Sequence, residues 1–144
     1  MTSAAILLVD DEVPFVEAMM RRLKKRNLNV QAAFSGDEAL SLLDRDGGID
    51  VVVLDVKMPG MDGIETLREI KKKFPLIEVI MLTGHATVET AIEGMKLGAY
   101  DYLMKPCDMD ELLSKVAEAK AKKNKHEQKI IEARVKEIAL RRGD

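Results

Sequence analysis

Two patterns of hydrophobic residues alternate along this chain, short apolar runs and stripes at helical spacing. This alternation constrains the fold more than any other feature. Short, mostly apolar runs recur at residues 4–9, 30–33, 51–54, 79–82 and 102–104. Runs of this length are typical of strands that are buried on both faces of a parallel sheet. Between the runs, apolar residues return every three or four positions, as at Phe15, Met19 and Leu23, which is the stripe of a helix that covers one face of a sheet.

The pattern predicts five strands and five helices in strict alternation. Pro14 suits the first turn of a helix, and Ser35 with Glu38 and Asp108 with Glu111 resemble capping boxes. The predicted elements are β1 (4–9), α1 (13–26), β2 (29–33), α2 (36–45), β3 (50–54), α3 (64–73), β4 (77–82), α4 (87–97), β5 (101–104) and α5 (from 109). Strands that alternate with helices form right-handed βαβ units, so we predict an α/β fold with a flavodoxin-like, doubly wound parallel sheet. Its expected strand order is 2-1-3-4-5.

The last part of the chain differs in composition from the rest. Residues 121–144 carry eight basic and four acidic side chains, and 122–129 are entirely polar. Ile131, Val135 and Ile138 then return at helical spacing. Since no proline or glycine interrupts residues 107–142, we predict that α5 is extended. The expected organisation is one domain over 1–121 and a helical extension over 122–144, without a separate output domain.

Composition excludes several classes of protein. With 144 residues, 47% hydrophobic and 33% charged, the chain has ordinary globular composition and is neither collagen-like nor wholly disordered. The net charge of −2 indicates no nucleic-acid partner. No segment approaches the roughly 18 apolar residues of a membrane helix, the N-terminal apolar run is too short for a signal peptide, and Cys107 is the only cysteine. We therefore expect a soluble, cytoplasmic protein with no membrane partner.

Reactive side chains follow four of the predicted strands. Asp10 and Asp11 end β1, Asp55 ends β3, Thr83 ends β4 and Lys105 ends β5. Any one of these residues alone would be read as a turn or cap residue. In an open parallel sheet, however, ligands bind beyond the carboxyl ends of the strands, and the order 2-1-3-4-5 makes β1 and β3 neighbours. We therefore expect the three carboxylates to lie close together.

Three clustered carboxylates repel one another unless a proton or a cation is bound. Oxygen ligands favour a hard cation such as Mg²⁺. A carboxylate nucleophile, a metal ion, a lysine ammonium and a hydroxyl together suit phosphoryl transfer, in which an aspartate forms an acyl phosphate.

Four segments carry a family resemblance: 7–12 (LLVDDE), 54–63 (LDVKMPGMDG), 81–85 (MLTGH) and 98–106 (GAYDYLMKP). In order and spacing they resemble the receiver (CheY-like) domain of bacterial two-component response regulators, and most closely receivers of the nitrogen-regulatory type. The resemblance covers residues 4 to about 120. Such receivers are often followed by an ATPase and a DNA-binding domain, neither of which occurs in these 144 residues. Whether the chain is a natural stand-alone regulator or a fragment stays open.

The resemblance implies a phosphoacceptor with a metal site. Asp55 would accept phosphate from the phosphohistidine of a sensor histidine kinase or a histidine phosphotransfer protein. Asp11 and Asp55 would ligate Mg²⁺ directly, Asp10 would act mainly through water, and the backbone carbonyl of Lys57 would complete the protein ligands.

The resemblance also implies a switch. Lys105 would contact the phosphoryl group, and the peptide bond between Lys105 and Pro106 would be cis. The Thr83 hydroxyl would move onto the phosphoryl group after transfer. Tyr102 would change rotamer in step, which would alter the α4–β5–α5 face for a downstream protein target. Lys57 and His85 would lie at the mouth of the site and tune the lifetime of the phosphoryl group.

Three other functions compete with this interpretation. A haloacid-type phosphatase would need Asp-x-Asp, but the chain has Asp55, Val56 and Lys57. DNA binding through the basic tail is not expected, because acidic residues are interleaved and aromatic residues are missing there. Homodimerisation through Ile131, Val135 and Ile138 stays possible, although the stripe is too short for a coiled coil alone.

Overall fold

The computed structural model describes residues 4–58, 60, 62–84 and 87–142 of the chain. The strands are β1 (Ala5–Val9), β2 (Asn29–Ala33), β3 (Val51–Leu54), β4 (Glu78–Thr83) and β5 (Asp101–Met104). The helices are α1 (Val13–Lys25), α2 (Gly36–Arg45), α3 (Gly63–Lys73), α4 (Val88–Lys96) and α5 (Met109–Arg141). Each predicted boundary lies within one residue of the observed one.

All strand pairs are parallel, and the sheet order is β2-β1-β3-β4-β5. This confirms the predicted fold class and order. The central strands β3 and β4 are buried along their whole length, which explains why their sequences are continuous apolar runs.

The core consists of two layers, one on each face of the sheet. The strands supply them alternately, because successive side chains point to opposite faces. One layer packs the strands against α2 and α3 and includes Leu7, Val52, Leu54, Leu43, Leu67 and Ile70. The other packs them against α1 and α5 and includes Ile6, Leu8, Val53, Val16, Leu23, Leu112 and Val116.

The helix starts follow local capping chemistry, in part as predicted. Pro14 lies in the first turn of α1. At α2 the Ser35 hydroxyl accepts from the Glu38 amide at 3.1 Å, as expected, but the Glu38 carboxylate accepts from the Phe34 amide, at 3.1 Å, rather than from that of Ser35. The start of α5 differs, because Asp108 accepts from the amide of Asp110 rather than from that of Glu111. The side chain therefore satisfies a donor one position nearer to the cap than in a capping box.

Helix α5 is one uninterrupted helix of 33 residues, which confirms the predicted extension. Its first part packs on the sheet through residues such as Leu112, Val116 and Ala119. From Ile130 onward, the side chains that the structure describes are exposed. No helix in the described part of the chain is both long and apolar enough to span a bilayer.

Candidate functional site

The carboxyl ends of β1 and β3 bring three aspartates together. Val9 pairs with Leu54 across the two strands, and the Asp55 amide donates to the Val9 carbonyl at 2.9 Å, so the residues that follow each strand meet. Asp10 and Asp55 are buried, and Asp11 is half-buried. One carboxylate oxygen from each of Asp10, Asp11 and Asp55 lies within 4.8 Å of the other two. The predicted proximity of the three carboxylates is therefore present.

One oxygen of this cluster lacks a hydrogen-bond donor. Among the described residues, no group donates to Oδ1 of Asp55, although this atom is shielded from solvent. Buried polar oxygens in proteins are almost always paired. An unpaired oxygen inside an all-oxygen cluster fits the ligand set of a hard divalent cation.

Lys105 is the cation of the site. Its Nζ lies 2.6 Å from Oδ2 of Asp10 and 3.0 Å from Oε1 of Glu12, and it stands 4.0 Å from the centre of the Phe15 ring. Burial by itself would lower the pKa of Lys105, but the hydrogen bonds to Asp10 and Glu12 outweigh this effect, so the pKa is raised. The ammonium therefore stays charged.

The Asp10 carboxyl experiences opposing effects. Burial raises its pKa, and the charge of Asp55 adds to the increase. Hydrogen bonds from Lys105 and from the Glu12 amide, at 3.0 Å, act in the other direction without cancelling it. The pKa of the Asp10 carboxyl is therefore raised.

Thr83 and Lys105 are placed side by side by the pairing of β4 with β5. Thr83 is fully buried, and its carbonyl accepts from the Lys105 amide at 2.9 Å. The peptide bond between Lys105 and Pro106 is cis, as the resemblance predicted.

Tyr102 points to α4 rather than to the carboxylates. Its hydroxyl lies 2.9 Å from Oγ1 of Thr90 in the first turn of that helix. Thr90 also closes a capping box with Thr87. The structure therefore links the expected switch tyrosine to the start of α4.

The two residues expected to modulate the site differ in what the structure shows. Lys57 is exposed, and it lines a cleft of about 600 Å³ between the starts of α3 and α4, together with Asp62, Arg68, Thr87 and Thr90. His85 lies outside the described residues.

Sequence reasoning missed two neighbours of the site, Glu12 and Phe15. Glu12 directly follows the aspartate pair, which is the one signal that could have drawn attention to it. Phe15 was interpreted only as part of the core stripe of α1, and nothing in its local sequence indicates the contact with Lys105.

The comparison with protein families identifies the site's relatives. The response regulator receiver domain family matches residues 6–117. Among curated proteins, the transcriptional regulatory protein ZraR of Salmonella typhimurium is 43% identical over 116 residues, which are 81% of this chain and 26% of that protein. A putative NtrX-like response regulator of Rickettsia conorii is 38% identical over 115 residues, which are 78% of this chain and 24% of that protein. The chain thus spans about a quarter of the length of these curated relatives.

Solved structures agree in fold. A response regulator receiver domain protein of Clostridium thermocellum superimposes with a TM-score of 0.80 at 38% identity, covering 84% of this chain and 97% of that one. The receiver domain of NtrX from Brucella abortus gives a TM-score of 0.74 at 35% identity, covering 81% of this chain and 98% of that one. The family resemblance drawn from the four sequence segments is confirmed.

Proposed function

Because this chain belongs to the response regulator receiver domain family, we propose that Asp55 accepts a phosphoryl group from the phosphohistidine of a sensor histidine kinase or a histidine phosphotransfer protein. The observation that carries the proposal is the buried Asp55 oxygen without a hydrogen-bond donor among the described residues, next to Asp10, Asp11 and the Lys105 ammonium. A carboxylate oxygen that accepts no hydrogen bond from the described residues keeps its lone pairs for attack on phosphorus.

The carboxylates of Asp10, Asp11 and Asp55 would bind a Mg²⁺ ion. Asp11 and Asp55 would bind it directly, Asp10 would act mainly through water, and the Lys57 carbonyl would complete the protein ligands. Support comes from the three carboxylate oxygens within 4.8 Å of one another and from the preference of Mg²⁺ for one or two carboxylates with water and phosphate oxygens. A bound Mg²⁺ would offset the charge on the transferring phosphoryl oxygens.

The transfer itself needs little from the protein beyond positioning and charge. A carboxylate oxygen of Asp55 attacks phosphorus, the P–N bond to the donor imidazole breaks, and the imidazole leaves with the electron pair of that bond. Lys105 contacts the new phosphoryl oxygens, and the Thr83 hydroxyl moves onto them. We also infer that the site hydrolyses its own aspartyl phosphate, which would be seen as faster decay of the adduct with Mg²⁺ than after chelation.

The output would be a change of the α4–β5–α5 face. Within this face, the contact between Tyr102 and Thr90 joins β5 to the first turn of α4. Val88, Ile92 and Met95 form an exposed apolar stripe on α4, and Met104 on β5 is also exposed. We infer that this face binds a downstream protein target in the cytoplasm, with residues 1–121 as the receiver unit and 122–144 as its helical extension.

A homodimer is the second candidate for the output. Ile131, Val135 and Ile138 are exposed along the part of α5 that projects beyond the sheet. A second copy of the chain could cover them. The same samples that test phosphorylation test this candidate through their mass in solution.

The decisive experiment is the intact mass after incubation with acetyl phosphate and Mg²⁺. Wild type is compared with Asp55→Asn and with Asp44→Asn, which removes an exposed carboxylate from α2. We expect one labile phosphoryl adduct in wild type and Asp44→Asn and none in Asp55→Asn. An adduct on the Asp55 variant would contradict the assignment. Light scattering after size exclusion separates a dimer, which doubles in mass, from a monomer that recruits another protein.

A further inference from the structure

The Lys105 ammonium is held by two carboxylates and an aromatic ring. Lysine has three N–H donors. One reaches Asp10 at 2.6 Å and another reaches Glu12 at 3.0 Å, while the Phe15 ring lies 4.0 Å away. Oδ1 of Asp55, in contrast, receives no donor from the described residues. The ammonium is therefore committed to groups other than the phosphoacceptor oxygen.

We propose that Glu12 is a positioning residue that retains the Lys105 ammonium in its contacts with Asp10 and Phe15, and that it thereby slows the acceptance of a phosphoryl group by Asp55. The inference rests on the proposed function of Asp55 and deepens it. For Lys105 to contact a phosphoryl group on Asp55, at least one of its present contacts must be released. Glu12 sets how readily that release occurs.

Exposure decides which contact gives way. The Glu12 side chain is 59% exposed, whereas the Asp10 side chain is 2% exposed. A carboxylate that leaves an ion pair for water loses little, but a buried carboxylate without its partner is costly. Glu12 therefore releases Lys105 first, while Asp10 keeps it near the site.

Glu12 has no competing structural task that a substitution would disturb. It occupies the cap position of α1, but its side chain makes no capping hydrogen bond. The backbone of Glu12 makes the local hydrogen bonds instead: its carbonyl accepts from the Val16 amide at 3.0 Å, and its amide donates to the Asp10 carboxylate at 3.0 Å. Glu12→Gln keeps both backbone contacts and removes only the charge that faces Lys105.

The first test compares initial rates of phosphoryl uptake from acetyl phosphate and Mg²⁺. Glu12→Gln should take up phosphate about two- to five-fold faster than wild type, the range expected when a largely exposed ion pair is lost. Glu17→Gln is the matched control, because it removes an exposed charge from the same helix and should leave the rate unchanged. An unchanged or slower rate in Glu12→Gln would overturn the proposal.

A double-mutant cycle separates release of Lys105 from simple repulsion of the anionic donor. In a Lys105→Met background, removal of the Glu12 charge should give no further gain, because there is no ammonium to release. An equal gain in both backgrounds would show that Glu12 acts on acetyl phosphate directly, and the positioning role would be wrong.

A readout that needs no phosphorylation is the nitrogen–proton NMR signal of the Lys105 ammonium, assigned by its disappearance in Lys105→Met. It should shift or broaden in Glu12→Gln and stay in place in Glu17→Gln. An unchanged signal in Glu12→Gln would contradict the proposal that Glu12 holds the Lys105 ammonium in place. If wild type takes up no phosphate while the signal responds as expected, the proposed function of Asp55 fails and the contact of Glu12 with Lys105 stands.

Discussion

The Tyr102 hydroxyl lies 2.9 Å from Oγ1 of Thr90, so one hydrogen bond joins strand β5 to the first turn of α4. Few side chains of α4 pack inward: among the described residues of the helix only Gly94 is buried, and an exposed ion pair joins Glu93 to Arg68 of α3 at 3.9 Å. The Thr90 hydroxyl also accepts from the Thr87 amide at 3.1 Å, which couples the tyrosine contact to the helix cap. The hydrogen bond of Tyr102 therefore supports the start of α4, and the sequence of that helix alone does not indicate this support.

Removing this hydroxyl should loosen α4. We expect Tyr102→Phe to lower the free energy of unfolding by about 1 kcal/mol, the usual value of one hydrogen bond, and to speed amide exchange in the first turn of α4. Urea denaturation and hydrogen exchange measure the two effects. Thr90→Ser keeps a hydroxyl at the same place and should change the exchange rates less. Equal exchange rates in Tyr102→Phe and wild type would contradict the coupling.

Gly63 allows the chain to turn tightly beneath Asp55. A Cβ at this position would lie 2.1 Å from the Asp55 carbonyl oxygen and 2.5 Å from the Val56 Cα, and backbone atoms cannot yield as a flexible side chain does. We expect Gly63→Ala to destabilise the fold by about 3 kcal/mol and to displace Asp55, so that phosphoryl uptake falls with it. Thermal or urea unfolding measures the loss.

The control for this prediction is Gly47→Ala. A Cβ at Gly47 would meet no atom within 4 Å, so the free energy of unfolding should change by no more than about 0.5 kcal/mol. Similar losses in the two variants would mean that the close approach at Gly63 is relieved by backbone movement.

Asp50, which directly precedes β3, anchors α5 at the edge of the sheet formed by the amino ends of the strands. Its carboxylate lies 3.2 Å from Nζ of Lys123 and 3.6 Å from Nζ of Lys120, and it accepts from the Ala5 amide at 2.9 Å. We expect Asp50→Asn to cost about 1–3 kcal/mol, because hydrogen bonds to a charged group are weakened, and to speed amide exchange in α5 beyond Lys120.

Glu127→Gln is the matched control for the anchor. Glu127 also pairs with Lys123, at 3.4 Å, but its side chain is 41% exposed. Its loss should cost less than about 0.5 kcal/mol and leave the exchange pattern of α5 largely as it was. If both variants fray the helix equally, the contact with the sheet is not what holds α5.

Cys107 should be a slow nucleophile. Burial raises the pKa of its thiol above the ordinary 9.0, and the nearby carboxylates of Glu111 and Asp108 add to the increase. Since only the thiolate reacts, the thiolate fraction at pH 8 is smaller than that of an unshifted thiol, and alkylation by iodoacetamide should be slower than in the same segment as a free peptide. The rate should rise with pH to a midpoint above 9.

Substitution of Glu111 tests the cause of this shift. Glu111→Gln removes one of the two negative charges and should speed alkylation of Cys107 at pH 8. Glu132→Gln removes a charge far along α5 and should have no effect. Folded protein and free peptide reacting at the same rate would contradict the prediction.

Most of the architecture was predictable because its signals are local. The apolar runs of β3 and β4 are buried on both faces, and each such run can be recognised from its own short segment of sequence. The reactive residues Asp55, Thr83 and Lys105 were equally visible, since each lies at the end of a strand or directly after it. The start of α5 was predicted correctly, but its cap was not, because the choice of the Asp110 or Glu111 amide by Asp108 depends on backbone angles that no residue type specifies.

Contacts around the site were not predictable in the same way. Glu12 and Lys105 are 93 positions apart in sequence, and neither residue type identifies the other among the many charges of the chain. Phe15 fitted the apolar stripe of α1 as well as any core residue. The link from Tyr102 to Thr90 depends on which rotamer each side chain adopts once β5 and α4 are packed.

The sequence by itself determined the order of the elements, the parallel sheet and the edge at which the reactive residues gather, because hydrophobic period and strand-end position are properties of single segments. Only the tertiary structure decided which carboxylates and which aromatic ring contact the Lys105 ammonium, which oxygen of Asp55 lacks a donor among the described residues, and what supports α4. Those features depend on distances between side chains from separate elements. Such distances are set by the packing of both core layers against the sheet, and no single segment encodes them.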